Sequence, residues 1–237
     1  MKLFINYADK GYYNSQVLGC NSALRFGFNQ AIPFNKGDID PDFYSTHEKI
    51  LTQPRGAGYW LWKPYIITKA LDKLKDGDYL CYCDAGANFI SSVDPLITTL
   101  DLYQQDLFAG ELRTAAKTYT KRDVFVHNRQ DTKEYTDAYM RDASFQFIKK
   151  TDFAVHFYHE YLEQCCLSHL ITDEPNIYGL PNYPEFIDHR HDQSIYSILA
   201  LKYRLPAFRM VSQFSNSFIP EYTNSDYPQM IDHHRRK

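Results

Sequence analysis

Gly77-Asp78-Tyr79-Leu80-Cys81-Tyr82-Cys83-Asp84-Ala85-Gly86 opens on a turn dipeptide and then runs through apolar and aromatic residues with no helical period. A run of that length between turn residues reads as a buried strand. It ends on one carboxylate followed by small residues. In open α/β sheets, ligands gather just outside the carboxyl ends of the strands. Asp84 in that place, with Ala85 and Gly86 leaving room for close backbone approach, is a candidate holder of a metal or a diphosphate. The alternative is that Asp84 only caps the turn after a core strand.

Working outward, Lys2 to Tyr7 reads as a first strand, and Asp9-Lys10-Gly11 breaks it. Ser15 can cap a helix to about Phe26, with Val17, Leu18, Ala23, Leu24 and Phe26 near one face. Ala31 to Phe34 reads as a second strand and Phe43 to Leu51 as a short helix. Then comes Arg55-Gly56-Ala57-Gly58-Tyr59-Trp60-Leu61-Trp62-Lys63-Pro64-Tyr65, which holds both tryptophans. Pro64 suits a helix entry, and the pattern continues to Leu74. The Trp pair is either a plug between helix and sheet or a wall facing a sugar or base, with Arg55 and Lys63 near a phosphate.

Beyond Asp84, Asp94-Pro95 starts a helix to about Tyr103, Asp106 to Leu112 reads as a strand, and Glu134 to Arg141 as a helix. Lys117, Lys121, Arg122 and Arg129 belong either to a solvated loop or to the flank of a diphosphate. Phe145 to Ile148 reads as a strand, and Thr151 or Asp152 caps a long helix to Cys166. His189-Arg190-His191-Asp192-Gln193-Ser194 leads into a helix ending near Tyr203, so Asp192 sits at a helix start. It is either an N-cap or a working carboxylate. The polar stretch from Tyr222 ends His233-His234-Arg235-Arg236-Lys237, a solvated basic tail or a lid over a metal diphosphate.

The totals narrow the classes. The 237 residues fit one large α/β domain, and 26 Lys plus Arg against 29 Asp plus Glu give a net charge of −3. That balance gives no reason to expect nucleic acid or an anionic membrane as partner. Five cysteines at irregular spacing do not suggest a disulfide framework and read as reduced thiols of a cytoplasmic protein. No stretch has the roughly 20 apolar residues of a membrane span.

Three motifs now stand in order: Arg55 to Tyr65, Asp78 to Gly86, and His189 to Ser194. Together they resemble small GT-A-fold nucleotide-sugar glycosyltransferases of the kind found in bacterial polysaccharide-synthesis clusters and some large DNA viruses. The resemblance implies an α/β fold: a single GT-A-like domain with a mixed, mostly parallel central sheet flanked by helices. It also implies a nucleotide-sugar-binding half (residues 1–105), an acceptor-side half (106–220) and a C-terminal tail or lid (221–237). Such enzymes usually carry Asp-x-Asp where this chain has Asp84-Ala85-Gly86, so the second carboxylate is missing. Some take a histidine from the C-terminal segment, and His233 and His234 are placed in sequence to serve.

The expectation is therefore a hexosyl- or pentosyltransferase moving sugar from a nucleoside diphosphate sugar to a glycan or other hydroxyl acceptor, with Mn²⁺ or Mg²⁺ at the diphosphate. Asp84 with His233 or His234 would ligate the metal, Arg55, Lys63, Gly86 and Arg235 would bind the donor, and Asp192 would act on acceptor or donor sugar. A hydrolase built on Asp84, His189, His191, His233 and His234 is a second reading. A non-catalytic carbohydrate-binding module using Trp60 and Trp62 is a third.

Overall fold

A computed structural model describes residues 1–9 and 11–234, without the side chains of 218–220. Strands β1 (Lys2–Tyr7), β2 (Gln30–Phe34) and β3 (Tyr79–Cys83) form its frame. After these come β4 (Ala87–Phe89), β5 (Leu107–Phe108), β6 (Gly110–Ala115), β7 (Tyr139–Arg141), β8 (Phe145–Lys149), β9 (Phe208–Arg209) and β10 (Ile231–His233). The central sheet has the order β2-β1-β3-β8-β5. β1 is parallel to both its neighbours, and β8 is antiparallel to both of its own. Two reversals restore direction, so four of the five strands run the same way and the sheet is mixed but mostly parallel.

Alternation along these strands explains why both faces are covered. Leu3, Ile5, Leu80, Tyr82 and Ile148 join a core with Ile66, Phe157 and Ile195 from helices Trp62–Leu71, Asp152–Cys165 and Asp192–Lys202. Phe4, Cys81, Cys83 and Phe147 join a second core with Ala23, Phe28, Leu96 and Leu100 on the other face. The two thiols of Cys81 and Cys83 thus share a face, as their spacing on a strand requires.

Several local expectations are corrected. The first helix spans Tyr13–Arg25 with no side-chain cap, and Ser15 lies buried within it. Its packed face is Gln16, Gly19, Cys20 and Ala23, while Val17, Leu18 and Leu24 are exposed. Small residues win that face because the helix runs close to the sheet: a Cβ on Gly19 would come within 3.2 Å of the Ala87 carbonyl. The expected strand from Asp106 is two strands in two sheets, β5 in the central one and β6 between β7 and β9. The expected helix from Glu134 lasts only Lys133–Thr136 before β7 pairs with β6.

The basic stretch from Lys117 folds as two short helices, Ala116–Tyr119 and Arg122–His127. Three of its four cations are committed within the fold. Lys117 pairs with Asp137 and Glu185, Arg122 pairs with Asp131, and Lys121 Nζ donates to the carbonyls of His169, Thr172 and Glu174. The tail differs most from expectation. Ile231–His233 pairs antiparallel with Ala87–Phe89, and Met230 and Ile231 are buried. Among the described residues no helix is long and apolar enough to cross a membrane.

Candidate active site

A cavity of about 850 Å³ opens at the carboxyl ends of β1 and β3. Tyr7 and Asp9 border it from the end of β1, and Asp84 and Gly86 from the end of β3. Arg55, Trp60, Trp62 and Lys63 border it from the segment before and within the Trp62–Leu71 helix. Asp142 and Ser144 reach it from the β7–β8 turn, Asp192 from the start of its helix, and His233 from β10.

The segment ahead of Lys63 has an unusual backbone. Gly56, Ala57, Gly58, Tyr59 and Trp60 all have positive φ, between 51° and 102°. Five residues in succession thus follow the left-handed screw, which costs a non-glycine residue roughly 1–2 kcal/mol each. Contacts hold the turn. Trp62 Nε1 donates to the Gly56 carbonyl at 2.9 Å, and the Trp62 ring stacks on Tyr7 at 3.9 Å. Trp60 stacks on His191 at 5.5 Å. Trp62, at 6 % exposure, is mainly architectural, whereas Trp60 is only partly buried at the cavity wall.

Lys63 is at the centre of the site. Its ammonium lies 2.8 Å from Asp192 Oδ2 and 3.6 Å from Asp84 Oδ1, and 5.3 Å from the centre of the Tyr82 ring. Burial alone would pull its pKa down, but the two carboxylates outweigh it and hold the amine charged. Asp192 is buried as well, and its Oδ2 also accepts from Tyr161 at 3.2 Å. Burial pushes its carboxyl up while Lys63 opposes the shift. Asp192 is the first residue of its helix and His191 takes the cap position, so the N-cap alternative for Asp192 is not seen. Asp84 accepts the Tyr82 hydroxyl at 2.6 Å.

Asp142 was not legible as a site residue. The Ser144 backbone N–H and hydroxyl each donate to its carboxylate at 2.9 Å. The Asp84 N–H in turn donates to the Ser144 carbonyl at 2.8 Å, which ties the two acidic turns together. Burial pushes the Asp142 carboxyl up, opposed by the Ser144 hydrogen bonds and by His233 nearby. The one sequence signal is that Asp142 lies three residues before the Phe145 strand, which pairs with the strand ending at Asp84.

The other expected site residues fall out as follows. Gly86 and Arg55 line the cavity, but Arg55 is already engaged by Asp188 at 2.7 Å and Asp173 at 3.7 Å. His233 lines it, with its backbone held on both sides by the Gln213 side chain. His234 is not among the lining residues. Arg235 lies outside the described residues. His189 is buried with both ring nitrogens used: the Lys121 N–H donates to Nδ1, and Nε2 donates to the Leu170 carbonyl. The hydrolase ligand set therefore does not form, and among the described residues no three His, Cys, Asp or Glu groups converge closely enough to hold a metal ion.

Comparison with known proteins agrees with this architecture. No protein-family model matches the chain, and no curated protein matches it in sequence. Solved structures do match. Mouse xyloside xylosyltransferase 1 aligns over 98% of this chain and 96% of its own at 9% identity, with a TM-score of 0.50. The galactosyltransferase LgtC, solved with donor and acceptor sugar analogues, aligns over 99% and 87% at 16% identity, also with a TM-score of 0.50. The bifunctional glycosyltransferase WbbM aligns over 99% of this chain but 45% of its own at 9% identity, with a TM-score of 0.52. The chain thus has the GT-A glycosyltransferase architecture.

Proposed function

We propose that this chain transfers a hexosyl or pentosyl group from a nucleoside diphosphate sugar to a hydroxyl, on a growing polysaccharide or related glycan. One observation carries the reading: in a GT-A fold, Asp84, His233 and the Lys63–Asp192 pair meet in one cavity at the carboxyl ends of the parallel strands. The five cysteines are free, which suits the reducing cytoplasm as its compartment.

The donor set fits a divalent ion that comes with the substrate. Asp84 and His233 offer one carboxylate and one imidazole on the same cavity. Mg²⁺ and similar ions are commonly held by one or two carboxylates with substrate phosphates completing the shell. Mn²⁺ or Mg²⁺ bound there would supply Lewis-acid stabilisation of the leaving diphosphate.

The chain's own residues do the remaining work. Lys63 is a fixed, desolvated positive charge whose contacts with Asp192 and Asp84 hold both carboxylates in place at the cavity. Asp192 uses Oδ2 for Lys63 and Tyr161, which leaves Oδ1 outside both contacts. In this reading that oxygen accepts a hydroxyl of the donor sugar, a positioning role, or takes the acceptor proton if configuration inverts. Gly86 lets the donor lie close to the backbone.

The test is thermal shift and calorimetry with UDP, GDP, ADP and CDP, each with and without Mn²⁺, followed by transfer assays with the sugar forms of any binder. Mn²⁺-dependent binding lost in Asp84→Asn is expected. Absence of binding to any nucleoside diphosphate under both conditions would sink the reading.

A further inference from the structure

We infer that Arg190 is the oxyanion-binding residue of the cavity, taking a phosphate or carboxylate group of the bound substrate. The inference deepens the transferase reading and rests on it. Arg190 lines the cavity, and its guanidinium lies over the Tyr119 ring, 4.3 Å from the centroid. The backbones that carry them are tied together. The Arg190 N–H donates to the Tyr119 carbonyl at 3.0 Å and to Ser194 Oγ at 3.1 Å, and the Ser194 hydroxyl donates to the same carbonyl at 2.7 Å.

Elsewhere in this chain, a cation laid on a tyrosine usually has a carboxylate as well. Arg122 lies over Tyr183 and pairs with Asp131 at 3.0 Å. Lys69 lies over Tyr65 and pairs with Asp40 at 2.6 Å. Arg113 lies over Tyr222 and pairs with Glu221, and Lys202 lies over Tyr203 and pairs with Glu160. Lys63 lies over Tyr82 between two carboxylates. Two exceptions stand outside the cavity lining: Arg209 over Tyr227, whose guanidinium donates to backbone carbonyls, and Lys36 over Tyr44.

Arg190 has the ring but, among the described residues, no carboxylate. The other cations of the wall, Arg55 and Lys63, are neutralised by acids of the protein. The planar fork of Arg190 is therefore the wall group free to take an anion, and it matches phosphate and carboxylate in two-point fashion. Two sources share that chemistry: the diphosphate of the donor, or an acidic group on the acceptor.

The experiment compares the full chain with Arg190→Gln, with unchanged melting temperature as the check on folding. Calorimetry with Mn²⁺ and UDP, GDP, ADP or CDP reads the donor source. Saturation-transfer NMR with methyl glycosides and their uronate and 6-phosphate counterparts reads the acceptor source. A loss of about tenfold or more in nucleoside diphosphate affinity places the anion on the donor. The same loss confined to the acidic sugars, with neutral glycosides unchanged, places it on the acceptor. Arg190→Lys should recover only part of either loss, because it keeps the charge but not the fork. Equal binding by variant and wild type in both arms overturns the inference alone. A wild-type chain that binds no nucleoside diphosphate and no sugar sinks the transferase reading together with it.

Discussion

The ammonium of Lys63 and the carboxylate of Asp192 lie 2.8 Å apart, and each side chain is only 4% exposed. Removing one partner from such a pair leaves a buried charge uncompensated. Lys63→Met should therefore destabilise by about 3–5 kcal/mol. Asp192→Asn should cost less, because Asp84 remains 3.6 Å from the lysine. Its transfer rate should nonetheless fall about 10²-fold or more. Urea denaturation of the two variants checks the order. A Lys63→Met protein as stable as wild type would show that the pair contributes little to the fold.

The left-handed turn predicts opposite outcomes at adjacent residues. Gly58 has φ +102°, and a Cβ there would lie 2.7 Å from the Leu51 Cα, a backbone atom with little freedom to move. Gly58→Ala should cost about 2 kcal/mol or more. At Ala57, with φ 51°, glycine relieves the αL cost but loses more chain entropy. Ala57→Gly should stay within about 1 kcal/mol of wild type. Equal melting of the two variants would count against the turn.

Asp142 predicts a pH dependence. Burial raises its native pKa, so the native state holds a proton that the unfolded chain has already released. Stability from this group is greatest below the unfolded carboxyl value of about 3.9 and falls as pH rises through the raised native value. Asp142→Asn removes that loss. Its stability relative to wild type should grow between about pH 4 and pH 7.5, read from chemical denaturation at each end. A difference that shrinks with pH would reverse the assignment.

β10 predicts a separation of effects. Ile231 is 1% exposed, and Ile231→Ala should cost about 2–4 kcal/mol. His233, only partly buried, should tolerate alanine with little change in melting, yet Mn²⁺-dependent nucleoside diphosphate affinity should drop about tenfold or more. Calorimetry at fixed Mn²⁺ reads the second effect. Full retention of affinity in His233→Ala would remove the histidine from the metal.

Local pattern carried the frame. The run ending at Asp84 has a turn before it and no helical period, and it is the central strand. Thr151 caps the Asp152–Cys165 helix as its sequence indicates. Where the sequence misled, a distant partner decided. Tyr139–Arg141 follows a helical pattern but is drawn into β7 by β6 and by Ser197, whose hydroxyl accepts from the Arg141 N–H. Strands of two or three residues such as β4, β9 and β10 hold too little chain to carry a period. Gly56 and Gly58 announce a special backbone, but nothing local announces Ala57, Tyr59 and Trp60 beside them at positive φ, since packing and the Trp62 hydrogen bond offset that cost. Lys63 meets Asp192, and Asp84 meets the Asp142 turn, only through the fold.

The pairing of Ile231–His233 with Ala87–Phe89 joins segments that are far apart in the sequence. Contacts of such high sequence separation close late, because a long loop must be ordered before they form. The β1-β2-β3 frame closes shorter loops, whereas the side of the cavity that holds His233 waits for the last strand. Amide exchange should therefore open β4 and β10 before β1 and β3, giving a folded frame whose binding chemistry switches on as the final step of maturation.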